Sequence, residues 1–177
     1  WPFMHSREPM SPRSQASSSS CQPGLPKRLS RVSVTSSTLI VPGTSAGGVK
    51  LGMAADTAIA KWGGNEACPK PYTGYECRWR AASGGANAAF TFKNAKVVAI
   101  DLYVGTTSTG APVFKGPLMK LKTRKKVGMR ATVRQLLKAY PKLKGSPSGA
   151  ALGSGIHTTT FSTSGGRVTE IYIGVPL

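Results

Sequence analysis

KVVAIDL, Lys96–Leu102, comes back near the end of the chain as RVTEIYI, Arg167–Ile173. Both read basic, Val, x, x, Ile, x, aliphatic. Both have the length and apolar content of a strand. Alternation predicts that Val98, Ile100 and Leu102 share one face, and that Thr169, Ile171 and Ile173 do the same. Upstream of the first copy, AAFTFK puts Phe90 and Phe92 on one side, and Asn94-Ala95 makes a tight turn. Before that, YECRWR (75–80) turns Tyr75, Cys77 and Trp79 one way and Glu76, Arg78 and Arg80 the other. Upstream of the second copy, HTTTFS and a Gly-Gly turn predict a terminal hairpin.

Each strand set follows a short amphipathic helix. Ala55, Ala58, Ile59 and Trp62 stand at i, i+3, i+4 and i+7, and so do Val133, Leu136, Leu137 and Tyr140. Gly63-Gly64 ends the first helix and Pro141 the second. Thr132 with Gln135 fits a capping box. LGM (Leu51–Met53) matches VGM (Val127–Met129) 76 residues on. The helix faces are 78 apart and the strands 71 apart, a drift that loop insertions and deletions explain. An amphipathic unit that cannot bury its own face is completed by a second copy. The expected fold is therefore α+β, with two repeated units, each a helix region followed by an antiparallel meander, sharing one sheet or core. Unit one covers about 47–105, a linker about 106–117, and unit two about 118–177. Residues 1–46 are rich in Ser, Pro and Arg and read as a disordered tail. Within that tail Lys27, Arg28 and Arg31, then VSVTSSTLIV, then small residues up to Ala46 give the order of a weak secretion signal.

The G-M-x-x step, the short helix and the closing K/R-V-x-x-I-x-L/I strand resemble the β-lactamase-inhibitory-protein fold. They also resemble the single-unit small lipoproteins of outer-membrane assembly, the SmpA/OmlA group. The resemblance covers roughly residues 47–175. It implies two helix-and-sheet units in one chain, secretion, action by binding proteins, and no active site. The tandem family typically has a cysteine pair in each half. This chain has Cys68 and Cys77 in the first half and none in the second.

Cys68 and Cys77 flank a Pro/Gly/Tyr-rich loop at a spacing that suits a local disulfide. A reduced buried pair is the alternative. A zinc site needs about four ligands, and the histidines, His5 and His157, lie near neither cysteine. No metal is expected. Cys21 has no evident partner.

The charge is lopsided, with 24 Lys and Arg against 6 Asp and Glu, a net +18. Such a balance favours polyanions and anionic surfaces as partners. From 115 to 144 there are eleven cations and no acid. Lys115, Lys120, Lys122, Arg124, Lys125, Lys126, Arg130, Arg134 and Lys138 are the candidate anion-binding residues, with Lys142 and Lys144 beyond them. If KLKTRKK is extended, Lys120, Lys122, Arg124 and Lys126 share a face. Arg130, Arg134 and Lys138 recur every four residues, opposite the apolar side of the second helix. A solvated face is the bland reading of the same residues. Stacking of single-stranded bases is weakly supported, because aromatics near the stripe are few and Tyr140 is expected to point inward.

No catalytic residue is expected. No serine sits in a nucleophile elbow, and His157 reads as an exposed residue at a strand edge. Paired carboxylates for acid/base work are not expected from so few acids. No phosphate-loop or dinucleotide fingerprint appears, so no cofactor is implied. No apolar run reaches the ~18–20 residues of a membrane span. The functional expectation is a non-enzymatic secreted or cell-envelope binding module that meets a protein. The rival is a polyanion binder (nucleic acid, wall polymer or acidic lipid) using 115–144.

Overall fold

A computed structural model describes residues 37–62, 68, 76–79, 85–146 and 148–175. Within them the protein is mostly β-sheet with two short helices, an α+β fold.

Three small strands open the chain: β1 (Leu39–Val41), β2 (Ser45–Ala46) and β3 (Val49–Lys50). Helix α1 (Ala55–Lys61) follows. Then come β4 (Glu76–Trp79), β5 (Ala86–Lys93), β6 (Lys96–Thr106) and β7 (Pro112–Val113). A 3-10 turn (Pro117–Lys120) leads to β8 (Lys122–Thr123) and helix α2 (Val133–Ala139). The chain continues through β9 (Lys144–Ser146) and β10 (Gly149–Leu152). A second 3-10 turn (Gly155–His157) precedes β11 (Thr159–Ser164) and β12 (Arg167–Gly174).

The main sheet runs β4-β5-β6-β12-β11-β10-β9, with β7 paired to β6. One of its faces is apolar: Trp79, Phe90, Phe92, Ile100, Leu102, Phe161, Ile171 and Ile173 are all buried. Trp62, capping α1, packs edge-on to Phe90 at 4.8 Å and to Trp79 at 6.0 Å. Tyr140, capping α2, stacks on Phe161 at 5.9 Å. Both helices therefore cover the same face. The small sheet β3-β2-β1-β8 joins that core through Ile40, Ala46, Val49 and Leu121. A Cβ on Gly47 would come within 2.8 Å of the Trp62 ring, so only glycine passes there.

The expected alternation fails at one residue in each closing strand. Thr91 pairs with Ala99 but Phe92 with Val97, which leaves Val98 as an extra residue. Ser162 pairs with Glu170 but Thr163 with Val168, which leaves Thr169 extra. Each is a β-bulge, and a bulge shifts the inward set by one position. Val97 and Val168 consequently fill the core, while Val98 and Thr169 are only half-buried. The hairpin turns beside these bulges are alike. Asn94 and Ala95 have φ of 51° and 54°, and Gly165 and Gly166 have φ of 57° and 70°. Two left-handed central residues match the twist of antiparallel strands.

The joints between helix and hairpin also correspond. The Gly52 amide donates to the Val97 carbonyl and the Val97 amide to Met53. The Arg130 amide donates to the Val168 carbonyl and the Val168 amide to Ala131. Gly52 thus occupies the setting of Arg130, 78 residues on, and not that of Gly128. The 76-residue match of the two Gly-Met steps is corrected accordingly.

Other expectations change with the packing. The ordered body begins inside the segment read as a 1–46 tail, because Ile40 and Ala46 are fully buried. The turn between β1 and β2 is held by the Gly43 amide donating to Thr159 Oγ1 at 2.6 Å. A signal cleaved near Ala46 would remove both strands from the core. The remainder of that reading, including Cys21 and the basic group at 27–31, lies outside the described residues, as do His5, Gly63-Gly64, Tyr75 and Arg80. On α2, Leu136 and Tyr140 are buried and Val133 half-buried, but Leu137 is 50% exposed. Seven residues make two turns, so one of four apolar positions is left outside. The capping box is present: Thr132 Oγ1 accepts from the Gln135 amide at 3.2 Å and Gln135 Oε1 from the Thr132 amide at 2.8 Å.

Candidate functional site

All nine cations singled out in the sequence are exposed. Among the described residues none of them pairs with a carboxylate. They do not form the single extended row that alternation suggested. Lys120 ends a 3-10 turn, Lys122 lies in a two-residue strand, and Arg124 to Lys126 form a turn. Lys126 is left-handed, with φ of 63°. Arg130 precedes α2 in a second left-handed position, so only Arg134 and Lys138 lie on the helix.

Lys125 folds onto α2. Its Nζ donates to the Ala139 carbonyl at 2.7 Å and stands 4.9 Å from the Tyr140 ring centre. It satisfies a terminal carbonyl of the helix and adds a cation–π contact. Lys115 lies apart in the fold, where its carbonyl accepts from the Ala86 amide at the start of β5.

The uncovered face of the main sheet carries the opposite charge. Glu76 on β4, Asp101 on β6 and Glu170 on β12 line one open groove of about 420 Å³ with Arg78, Tyr103 and Thr169. Much of the face around it is small: Ala89, Thr91, Ala99, Thr160 and Ala151 alternate with the core residues. Arg78 is held by Glu76, at 2.9 and 3.0 Å, and this hydrogen bond raises its pKa. Ser162 Oγ donates to Glu170 at 2.6 Å. Asp101 Oδ1 is buried without a partner. Burial, with Glu170 and Glu76 nearby, pushes the Asp101 carboxyl up from 3.8 to about 7. Burial and then Asp101 raise the Tyr172 phenol.

Grouping of carboxylates was not expected from the sequence. Two of these acids sit inside apolar-looking strands, and only the strand register brings them together. The signal was present in KVVAIDL and RVTEIYI as a charged residue in a strand that is otherwise apolar.

His157 lies in the turn before β11, not at a strand edge, and its Nδ1 is 2.9 Å from the Gly43 carbonyl. Cys68 and Cys77 are joined as a disulfide, with Cα atoms 5.3 Å apart. Among the described residues no three His, Cys, Asp or Glu come together as a metal site requires. No described helix is long and apolar enough to cross a membrane. Comparisons with family models, with curated proteins and with solved structures found no match.

Proposed function

We propose that the chain is a non-enzymatic binding module, and that its partner is an anionic polymer or surface met by the cations between 115 and 144. The observation that carries this reading is the set of exposed Lys and Arg there with no carboxylate partner among the described residues. Like charges at this density repel one another, and an anion removes the cost. The three acids of the sheet groove lie on the opposite side from the helices. An anionic surface is thereby met by the helix side and not by the groove.

We read the architecture as two diverged copies of one helix-and-meander unit. The paired bulges, turns and joints support it. Export to an oxidising compartment is part of the same proposal, and the disulfide is compatible with it.

A second reading has its own support in the uncovered sheet face. A protein partner presenting Lys or Arg would find Glu76, Asp101 and Glu170 in a groove flanked by Tyr103. Both readings agree with a module that binds and does not catalyse.

Titration of affinity against salt separates them. Binding to a random-sequence DNA duplex or to phosphatidylglycerol vesicles should fall linearly in log Kd against log salt, by several orders of magnitude between about 50 and 500 mM. No binding at about 50 mM, or binding unmoved by salt, would reject the polyanion reading. A protein partner captured from culture fluid and retained at about 500 mM salt would favour the sheet face, since screening there leaves contact of shape and apolar area.

A further inference from the structure

Two of the four non-glycine residues with left-handed backbone among those described are cations, Lys126 at φ 63° and Arg130 at φ 75°. That conformation presses Cβ on the following carbonyl, and only Gly, Asn and Asp adopt it routinely. The fold demands it at both places. The Lys126 amide donates to the Thr123 carbonyl and the Arg130 amide to the Val168 carbonyl, each at 2.8 Å. Between them the chain is tight, because a Cβ on Gly128 would collide with the Leu121 carbonyl. The positions 78 residues earlier, Gly48 and Gly52, have φ of 84° and 80° and are filled by glycine. The second half places long cationic side chains where the first half places none.

A third cation is drawn in beside them. Arg167 Nη1 donates to the Arg130 carbonyl at 3.2 Å. Arg167 is exposed too, and no carboxylate pairs with any of the three among the described residues. Backbone strain at an exposed charged residue, with like charges beside it, has no stabilising return within the chain.

We propose that Lys126, Arg130 and Arg167 are the contact point of the basic surface for a phosphate group of its partner. The guanidinium forks suit the oxygens of a phosphodiester or phosphomonoester, and the lysine adds a point charge. The inference rests on the polyanion reading and names the residues that realise it.

The test compares the full chain with the double variant Lys126→Gly, Arg130→Gly, using a DNA duplex of about 20 base pairs and phosphatidylglycerol vesicles as separate probes. Binding at about 50 mM salt should weaken at least tenfold, and the salt slope should drop by about two. Thermal midpoint should hold within about 2 °C or rise, because relief of strain offsets the added freedom of the unfolded chain. The control Lys50→Ser, Lys93→Ser removes two exposed charges elsewhere. Equal weakening by the control would overturn the proposal, since net charge alone would then explain it. Wild-type affinity in the glycine variant would also overturn it, while leaving the polyanion reading in place if salt dependence persists. Should the glycine variant melt early, Lys126→Asn, Arg130→Asn gives the same test with residues that tolerate the backbone. The probe that binds, duplex or vesicle, identifies the source of the phosphate.

Discussion

Asp101 on β6 and Tyr172 on β12 stand opposite one another at the centre of the main sheet, and the ladder is symmetric about them. Leu102 faces Ile171 on one side and Ile100 faces Ile173 on the other. Tyr103 with Glu170 is answered by Ala99 with Gly174. A shift of 71 residues turns each pair into its mirror, as the proposed duplication requires. The central position is thus filled by a carboxylate in one strand and a phenol in the other. Neither group can satisfy the other's symmetry mate, and Asp101 is left half desolvated.

Asp101→Asn should raise stability at neutral pH. The carboxyl titrates near 3.8 in the unfolded chain and about 7 in the fold. Below the lower value both states are protonated and the group costs nothing. As pH rises toward the upper value the unfolded state loses its proton first, so stability falls across that window. The penalty is fully developed above it, at up to about 4 kcal/mol. Denaturant melts of the wild type from pH 4 to 8 should show this decline, and the Asn variant should flatten it. A variant less stable than wild type at pH 8 would contradict the assignment.

The two leucines of α2 should behave differently although they are adjacent. Leu136 is 1% exposed and Leu137 50%. Leu136→Ala should cost about 2–4 kcal/mol through lost burial and a cavity. Leu137→Ala should stay within about 0.5 kcal/mol. Urea midpoints at constant m-value measure both.

A chain beginning at Gly47 should fail to melt cooperatively. It lacks Ile40, Ala46 and the Gly43 turn that accepts and donates across to the residues before β11. It also leaves β8 without its neighbour in the small sheet. A chain beginning at Ser37 retains these contacts. Far-UV and near-UV circular dichroism of the two, heated side by side, decide it. Native-like melting of the shorter chain would restore processing at Ala46 as a reading.

Replacing both Cys68 and Cys77 by Ser should lower stability by about 2–3 kcal/mol on loop-closure entropy for a separation of nine residues. Wild-type protein treated with a reductant should match the variant. Equal stability of oxidised and reduced protein would show that the loop carries no strain on the unfolded chain.

Much of the strand and helix content was legible from spacing. Phe90 with Phe92, and Cys77 with Trp79, alternate on a half-buried sheet. The buried face Ala55, Ala58, Ile59 and Trp62 keeps a strict helical period. The bulges at Val98 and Thr169 were not legible, since an inserted residue leaves no mark in composition, and each reversed the predicted inward set upstream of it. The strands β1 to β3 were hidden because two or three residues each are too few to show a period. Glu76, Asp101 and Glu170 come together only through register across non-adjacent strands. The left-handed turns at Lys126 and Arg130 were hidden because neither residue type signals that backbone. For the cationic segment, the exposure was foreseen, but its division into turns, a short strand and a helix was not.

The parallel ladder joining Leu39 to Lys122 spans 83 positions of the chain. Synthesis releases β1 long before β8 exists, so the earliest ordered strand waits with an open edge while the first meander forms. Closing so wide a loop is slow, though longer loops add little further cost. The first half accordingly has no finished interior of its own. Proteolysis or a stalled ribosome anywhere before Thr123 would leave a fragment with Ile40 and Val49 uncovered, and fragments of that kind are cleared or aggregate.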